Sequence, residues 1–233
     1  QDAADALLAA RPAGMPVDVE VLPVKYPQGA EKMLIDALLG RRVPSGGLPS
    51  DVGVIVVNVA TTAEIGRLLP HGRGIHERVV TITGPGIGRR GNYRIPIGTP
   101  LRFALDYAEA HEDLSKVFLG GPMMGQALPS LDIPITKGTS GFVAFTEQQT
   151  GRPPPEYPCI HCGYCVQACP MSLNPCDLGR LARNERFEEM ATEHRLFDCF
   201  ECGCCSFVCP AHIPLVQSFR VAKASLRKAR SKE

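Results

Sequence analysis

The chain has 233 residues, 44% of them hydrophobic, enough to build the core of one large domain or a few small ones and too many for a disordered tail. Its 25 Lys and Arg balance 24 Asp and Glu to a net charge of +1, so composition gives no global electrostatic case for binding nucleic acid or steering acidic ligands. No apolar run approaches the ~18 to 20 residues that span a bilayer; the longest candidate, residues 52–60, includes Gly53 and Asn58. The first residues, Gln-Asp-Ala-Ala-Asp, carry neither an initiator Met nor a basic stretch leading into an apolar one, and the expectation is a fragment of a longer protein.

In chain order, Asp2 to Ala10 reads as a short helix ended by Arg11-Pro12, and Val17, Val19 and Val21 alternate with Asp18 and Glu20 as a half-buried strand. A helix follows from about Ala30 to Leu39, with Met33, Leu34, Ala37 and Leu38 on one face and Gly40 as its stop. After the turn-rich Val43-Pro-Ser-Gly-Gly-Leu-Pro49, the run from Val52 to Asn58 has the continuous apolar character of a buried parallel strand. Thr61 or Thr62 then caps a helix through Leu69, with Glu64 in its first turn. Strand, helix, strand, helix predicts an α/β layer.

From about His76 to Glu147 the pattern is shorter-ranged and richer in glycine. Val79, Thr81 and Thr83 alternate with Val80 and Ile82 in one strand, Arg94, Ile95 and Ile97 form its hairpin partner, and Pro100 at N1 opens a helix to about Ala110. Lys116 to Leu119 is a further strand ahead of Gly120-Gly-Pro-Met-Met-Gly125. Mixed strands around one helix predict an α+β module of β-grasp type. Gly84, Gly86 and Gly88 lead into a strand and not a helix, so they read as a hairpin turn and not a dinucleotide loop.

Gly151-Arg-Pro-Pro-Pro-Glu is a stiff linker, and beyond it the strongest chemical signal appears twice. Cys159, Cys162, Cys165 and Cys169 with Pro170, then Cys199, Cys202, Cys205 and Cys209 with Pro210, each form a Cys-x2-Cys-x2-Cys-x3-Cys-Pro run. Three cysteines at that spacing wrap a loop around three irons of a [4Fe–4S] cube, and in two-cluster ferredoxins the last Cys of each run ligates the other cube. Cys159, Cys162, Cys165 and Cys209 are therefore assigned to one cluster, and Cys169, Cys199, Cys202 and Cys205 to the second. Structural zinc is the alternative, but it favours two separated pairs; disulfides fit worse, because all ten cysteines fall between residues 159 and 209. Cys176 and Cys204 are left over as bystanders, Cys204 being flanked by ligands. His161, inside the first run, is a hydrogen-bonding neighbour and not a ligand.

Between the runs, Leu178, Leu181, Ala182, Phe187, Met190 and Ala191 recur at helical spacing, which predicts an α-helical ferredoxin and not the compact βαβ kind. Ile213-Pro-Leu opens a last helix with Leu215, Phe219 and Ala222 inward. Its basic residues, Arg220, Lys223, Arg227, Lys228, Arg230 and Lys232, read as a solvated face, with an acidic partner or anionic membrane surface as the functional alternative. Reduced thiolates and oxygen-labile clusters argue for a reducing compartment.

Taken together, Lys25-Tyr-Pro-Gln-Gly-Ala-Glu-Lys32, Val43 to Pro49, Asn58-Val-Ala-Thr61, Gly120 to Gly125, Thr136-Lys-Gly-Thr-Ser-Gly141 and the double cysteine run resemble the C subunit of the Rnf electron transport complex over essentially the whole chain. That family is similar to the flavin-bearing subunit of respiratory complex I. The resemblance implies a multidomain α/β and α+β chain: residues 1–75 as the C-terminal part of an FMN- and NADH-binding α/β domain, 76–150 as a β-grasp (SLBB-like) module, and 151–233 as an α-helical ferredoxin domain with two [4Fe–4S] clusters.

It also implies an electron-transfer subunit of a membrane-associated ferredoxin:NAD oxidoreductase. Electrons would pass between NAD(H), FMN, the cubes and the partner subunits, coupled to Na+ or H+ transport, with the chain peripheral on the cytoplasmic side of the bacterial inner membrane. Tyr26, Gly29, Glu31, Asn58 and Thr61 are what the resemblance leaves of the flavin site. The family's glycine-rich flavin and NADH loop has no counterpart in these 233 residues, and Ala30 stands where the family has a second glycine. A cobalamin reductase of bacterial microcompartments shares the architecture and stays open, as does a zinc-stabilised scaffold without redox function.

Overall fold

A computed structural model describes residues 2–231; Gln1, Lys232 and Glu233 lie outside them, and with them one end of the basic stretch. The chain divides into two compact units, Gln1–Val56 and Val57–Glu233. The first holds helix α1 (Asp2–Ala10) and helix α2 (Glu31–Leu39), both close to their expected bounds. Gly40 ends α2 in the left-handed conformation at φ 61°, the geometry glycine adopts without a Cβ penalty. Ile35 is the buried residue of this helix, while Leu38 and Leu39 are exposed.

The strands expected at residues 17–21 and 52–58 do not form. A buried parallel strand is stable only between neighbours that satisfy its N–H and C=O groups on both sides. The described residues offer these runs no partner strand, so they stay unladdered, Val52 closing a 3-10 turn, Gly53 left-handed and Ile55 85% exposed. The α/β layer predicted there is accordingly absent from the first unit.

The second unit opens with helix α3 (Val59–Leu68). Its cap is Asn58 and not a threonine: the Asn58 side chain accepts a hydrogen bond from the Ala60 amide at 3.0 Å, and Thr61 and Thr62 sit inside the first turn. Strand β1 (Glu77–Thr83) pairs antiparallel with β2 (Gly91–Pro96), as the alternation and turn predicted. Gly84, at φ 113°, starts the connection, where a Cβ would lie 2.2 Å from the Ala144 carbonyl oxygen. Helix α4 (Leu101–Tyr107) is shorter than expected, and Pro100 is its cap, one place before N1.

Strands β3 (Leu114–Leu119), β4 (Gln126–Ala127) and β5 (Gly141–Thr146) complete a five-stranded mixed sheet in the order β2-β1-β5-β3-β4, with β1 and β5 parallel and the other pairs antiparallel. Alternate residues of β1 and β5 point inward: Val80, Ile82, Phe142 and Ala144 meet Leu101, Ala104 and Leu105 of α4 in one core.

Helix α5 (Glu147–Thr150) leads to the extended, exposed linker, and the rest of the chain is helical. Helices α6 (Tyr164–Gln167), α7 (Pro175–Arg183), α8 (Phe187–Thr192), α9 (Cys204–Phe207) and α10 (Leu215–Arg230) enclose a second core. Its centre is Leu178, Leu181, Met190, Leu196, Phe219 and Ala222. Helix replaces strand between the cysteine runs, as the 3.6-residue spacing predicted. Gly179 lets α7 approach α10, because a Cβ there would lie 2.5 Å from Leu215 Cδ2. Residues of both cysteine runs, Cys165, Cys169, Cys199 and Cys209, pack against this core.

Candidate metal centres

Each feature of the first cysteine run recurs 40 residues later. His161 and Glu201 both take the left-handed conformation, at φ 55° and 63°, and donate their backbone N–H to Cys159 Sγ and Cys199 Sγ, each at 3.4 Å. Gly163 and Gly203 follow at φ 77° and 86°, then a single helical turn, α6 or α9, carries the third cysteine. Ser172 and His212 again turn left-handed and donate back to the carbonyls of Cys169 and Cys209. The equivalent turns α6 and α9 lie against each other.

Cys159, Cys162, Cys165 and Cys209 line one cavity of about 290 Å³, together with His161, Cys176, Arg180 and Arg183. Three of these thiols come from the first run and one from the second, so the crossed set meets at one place. Burial, with Cys209 and Cys159 as charged neighbours, pushes the Cys165 thiol up. Of the other four, Cys202 and Cys205 are buried and Cys169 and Cys199 half-buried, and Cys169, Cys199 and Cys205 share the helical core, where Cys159 and Cys162 are exposed. Burial pushes Cys202 up to about 11 and Cys205 up to about 12, with neighbouring thiols adding to the effect. Such thiols stay protonated at neutral pH until a metal supplies the positive charge that makes them thiolates. N–H···S bonds to Cys159, Cys169 and Cys199 are already in place to stabilise that charge. The donor chemistry fits cubes: the cavity at the first site, walled by five cysteines including Cys176, has room for a polyatomic group, where a zinc site closes on a single ion.

Of the leftover cysteines, Cys176 stands closer to the chemistry than its spacing suggested. Its Sγ lies 3.8 Å from both Cys159 Sγ and His161 Nδ1, at the start of α7. Burial and the Cys159 contact push its thiol up to about 11. Cys204 neighbours Cys202, to which its thiol is hydrogen-bonded.

Sequence reasoning missed Lys223. It belongs to a charge run that reads as solvent-facing, yet it is 5% exposed, and its Nζ donates to the Cys199 carbonyl and to Glu201 Oε1 at 3.0 Å. Arg220 Nε donates to the other oxygen, Glu201 Oε2, at 3.0 Å, and its Nη2 to the Met124 carbonyl at 2.8 Å. Burial opposes ionisation of Glu201, but Lys223 and Arg220 outweigh it and hold its carboxyl below the usual range. The available signal was Glu201 itself, an acid inside a metal-binding loop.

The candidate flavin residues are divided between the units. Tyr26, Gly29 and Glu31, the last opening α2, belong to the first; Asn58 and Thr61 belong to the second. Tyr26 is half exposed, and a Cβ on Gly29 would meet nothing within 4 Å, so the chain's own packing does not demand glycine there. The Asn58 side chain is engaged in capping α3, and Thr61 Oγ1 accepts from Arg78 Nη1 at 3.3 Å.

Residues 1–67 match the Nuo51 FMN-binding domain family and residues 158–214 the 4Fe-4S dicluster domain family. With one thiol set lining a cavity and a mixed-sheet module between these segments, the chain has the parts of an iron–sulfur flavoprotein, and the two matches support [4Fe–4S] clusters and FMN as its cofactors.

It is 42% identical over 217 residues to the C subunit of the ion-translocating oxidoreductase complex of Pasteurella multocida, covering 93% of this chain and 26% of that protein. It is 45% identical over 221 residues to the C subunit of the proton-translocating ferredoxin:NAD(+) oxidoreductase complex of Clostridium ljungdahlii, covering 94% of this chain and 48% of that protein. A third relative, the corresponding ion-translocating oxidoreductase C subunit of Pseudomonas aeruginosa, is 42% identical over 93% of the chain and 28% of its own length. The chain is similar to these C subunits along nearly all of its own length, and it spans between about a quarter and a half of theirs.

Proposed function

We propose that this chain is the part of a C subunit that relays electrons between NAD(H) and FMN on one side and partner subunits of a ferredoxin:NAD oxidoreductase complex on the other. Two [4Fe–4S] clusters carry them, and the transfer is coupled to Na+ or H+ transport. The observation that carries this reading is Cys209 lining the same cavity as Cys159, Cys162 and Cys165. Each site then draws its fourth ligand, Cys209 or Cys169, from the neighbouring run, which keeps the two groups close enough to exchange an electron. When bound, FMN accepts two electrons as hydride and releases them singly, while each cube takes one. The chain's own part is to hold the thiolates, exclude water around Cys202 and Cys205, and supply N–H donors to the sulfurs.

In this reading residues 1–75 contribute to the flavin domain, 76–150 form the SLBB-like β-grasp module, and 151–233 form the ferredoxin domain. Tyr26, Gly29, Glu31, Asn58 and Thr61 contribute to the FMN site. Among the described residues no helix is long and apolar enough to cross a membrane, which is consistent with a peripheral position on the cytoplasmic face of the inner membrane. The names of the relatives support this reading over a cobalamin reductase.

Anaerobic reconstitution tests it. About eight irons and eight acid-labile sulfides per chain are expected, with a paramagnetic signal from interacting clusters after dithionite; about two zinc ions without sulfide would replace the proposal with a structural role. Because the glycine-rich loop has no counterpart here, NADH added alone is expected to leave the clusters oxidised.

A further inference from the structure

The 40-residue repeat exposes a difference between the two loops. Arg180 and Arg183 on α7 occupy the positions that Arg220 and Lys223 hold on α10. At the first site both cations line the cavity but are about half exposed, and they pair with Asp177 and Glu156 and not with a loop residue equivalent to Glu201. At the second, Lys223 is buried and clamped between the Cys199 carbonyl and the Glu201 carboxylate, and Arg220 closes the other side of that carboxylate. The set carries two positive charges and one negative, and the N–H of Glu201 itself binds Cys199 Sγ.

We propose that Lys223, fixed by Glu201, is a positioning residue that raises the reduction potential of the second cluster selectively, by holding a buried ammonium beside the Cys199 loop. The inference rests on the reading that Cys169, Cys199, Cys202 and Cys205 hold a cube. Reduction adds one electron, and so one negative charge, to a group surrounded by low-dielectric packing. A fixed cation there is screened little by solvent, so it stabilises the reduced form more than the half-exposed Arg183 does at the first site. Glu201 works in the opposite sense electrically while anchoring the lysine mechanically. Replacing either partner therefore moves the potential in opposite directions, whereas loosening the loop would move it the same way in both.

The test is a mediated potentiometric titration of the full chain, followed by electron paramagnetic resonance, with a Cys162→Ser variant used to assign the first site's signal. Lys223→Met is expected to shift the second cluster's reduction equilibrium about tenfold toward the oxidised form, 59 mV for a one-electron couple, and the first cluster by less. Lys223→Arg should restore the wild-type value, and Glu201→Gln should move it upward. Equal shifts in both clusters, no shift, or a downward shift in Glu201→Gln would overturn the inference. If Lys223→Met does not assemble, the Glu201→Gln result decides it in the same way. Wild-type chain that binds no iron or sulfide would instead remove the underlying reading of the site.

Discussion

Glycine at 203 answers two demands at once. Its φ of 86° suits only a residue without Cβ, and a Cβ there would lie 2.6 Å from the Met123 carbonyl oxygen. Gly163 is its counterpart at φ 77° but faces open space. Gly163→Ala is expected to cost about 1–2 kcal/mol for the left-handed conformation alone. Gly203→Ala adds a backbone clash and should also lower iron content at the second site, read as the iron-to-protein ratio beside a thermal melt. Thiol reactivity separates the sites as well. The raised values at Cys202 and Cys205 leave little thiolate at pH 8, so alkylation of the metal-free chain followed by mass spectrometry should label the exposed Cys159 and Cys162 first and Cys205 last. The eight ligand candidates were legible from spacing alone. Lys223 was not, because a lysine at a helical position looks the same in sequence whether it meets water or a carboxylate.

Among the elements, those with a clear local pattern and a partner to join were legible, β3 with its distant partner β5 included, and those without a partner were misread. The β1–β2 hairpin and helices α2, α7 and α10 follow from alternation, helical spacing and Gly or Pro punctuation, whereas the apolar run at residues 52–58 had the composition of a strand without a ladder to join. Helix α3 is tied to the hairpin by charge: Glu64, 5% exposed, takes Arg67 at 2.7 Å and Arg94 at 3.3 Å, and both arginines also hold Glu77. The hydrogen bond from Arg67 leads in holding the Glu64 carboxyl below its ordinary value of 4.5, against the opposing effect of burial. A depressed carboxyl contributes stability above its unfolded value and loses it as pH falls through the folded one. Melting temperature should therefore fall as pH drops below about 4.5, and Glu64→Gln should flatten that part of the profile; an unchanged slope would assign the acid sensitivity elsewhere. In the helical core, Phe219→Ala is expected to cost about 3–5 kcal/mol, measured by denaturant unfolding, since its side chain is fully buried between α7 and α10.

Across the molecule, the likeness to these C subunits was legible because many short landmarks keep one order, and some of those landmarks acquire physical roles in the second unit. Gly120 to Gly125 is such a case: its Met123 carbonyl abuts Gly203 and its Met124 carbonyl receives Arg220, so the loop between β3 and β4 braces the second cysteine loop. Residues 1–67 match a flavin-binding family, yet up to Val56 they form two α-helices, a 3-10 turn at Pro49–Val52 and irregular chain, and not the layer that their strand–helix alternation predicted. The meeting of Cys209 with three cysteines more than forty positions earlier has a consequence for biosynthesis. On the proposed ligand sets, a nascent chain that has emerged only as far as α8 offers an iron carrier three of the first centre's sulfurs and an open flank, so loading of the first centre waits until synthesis has passed residue 209 and that of the second until it has passed residue 205.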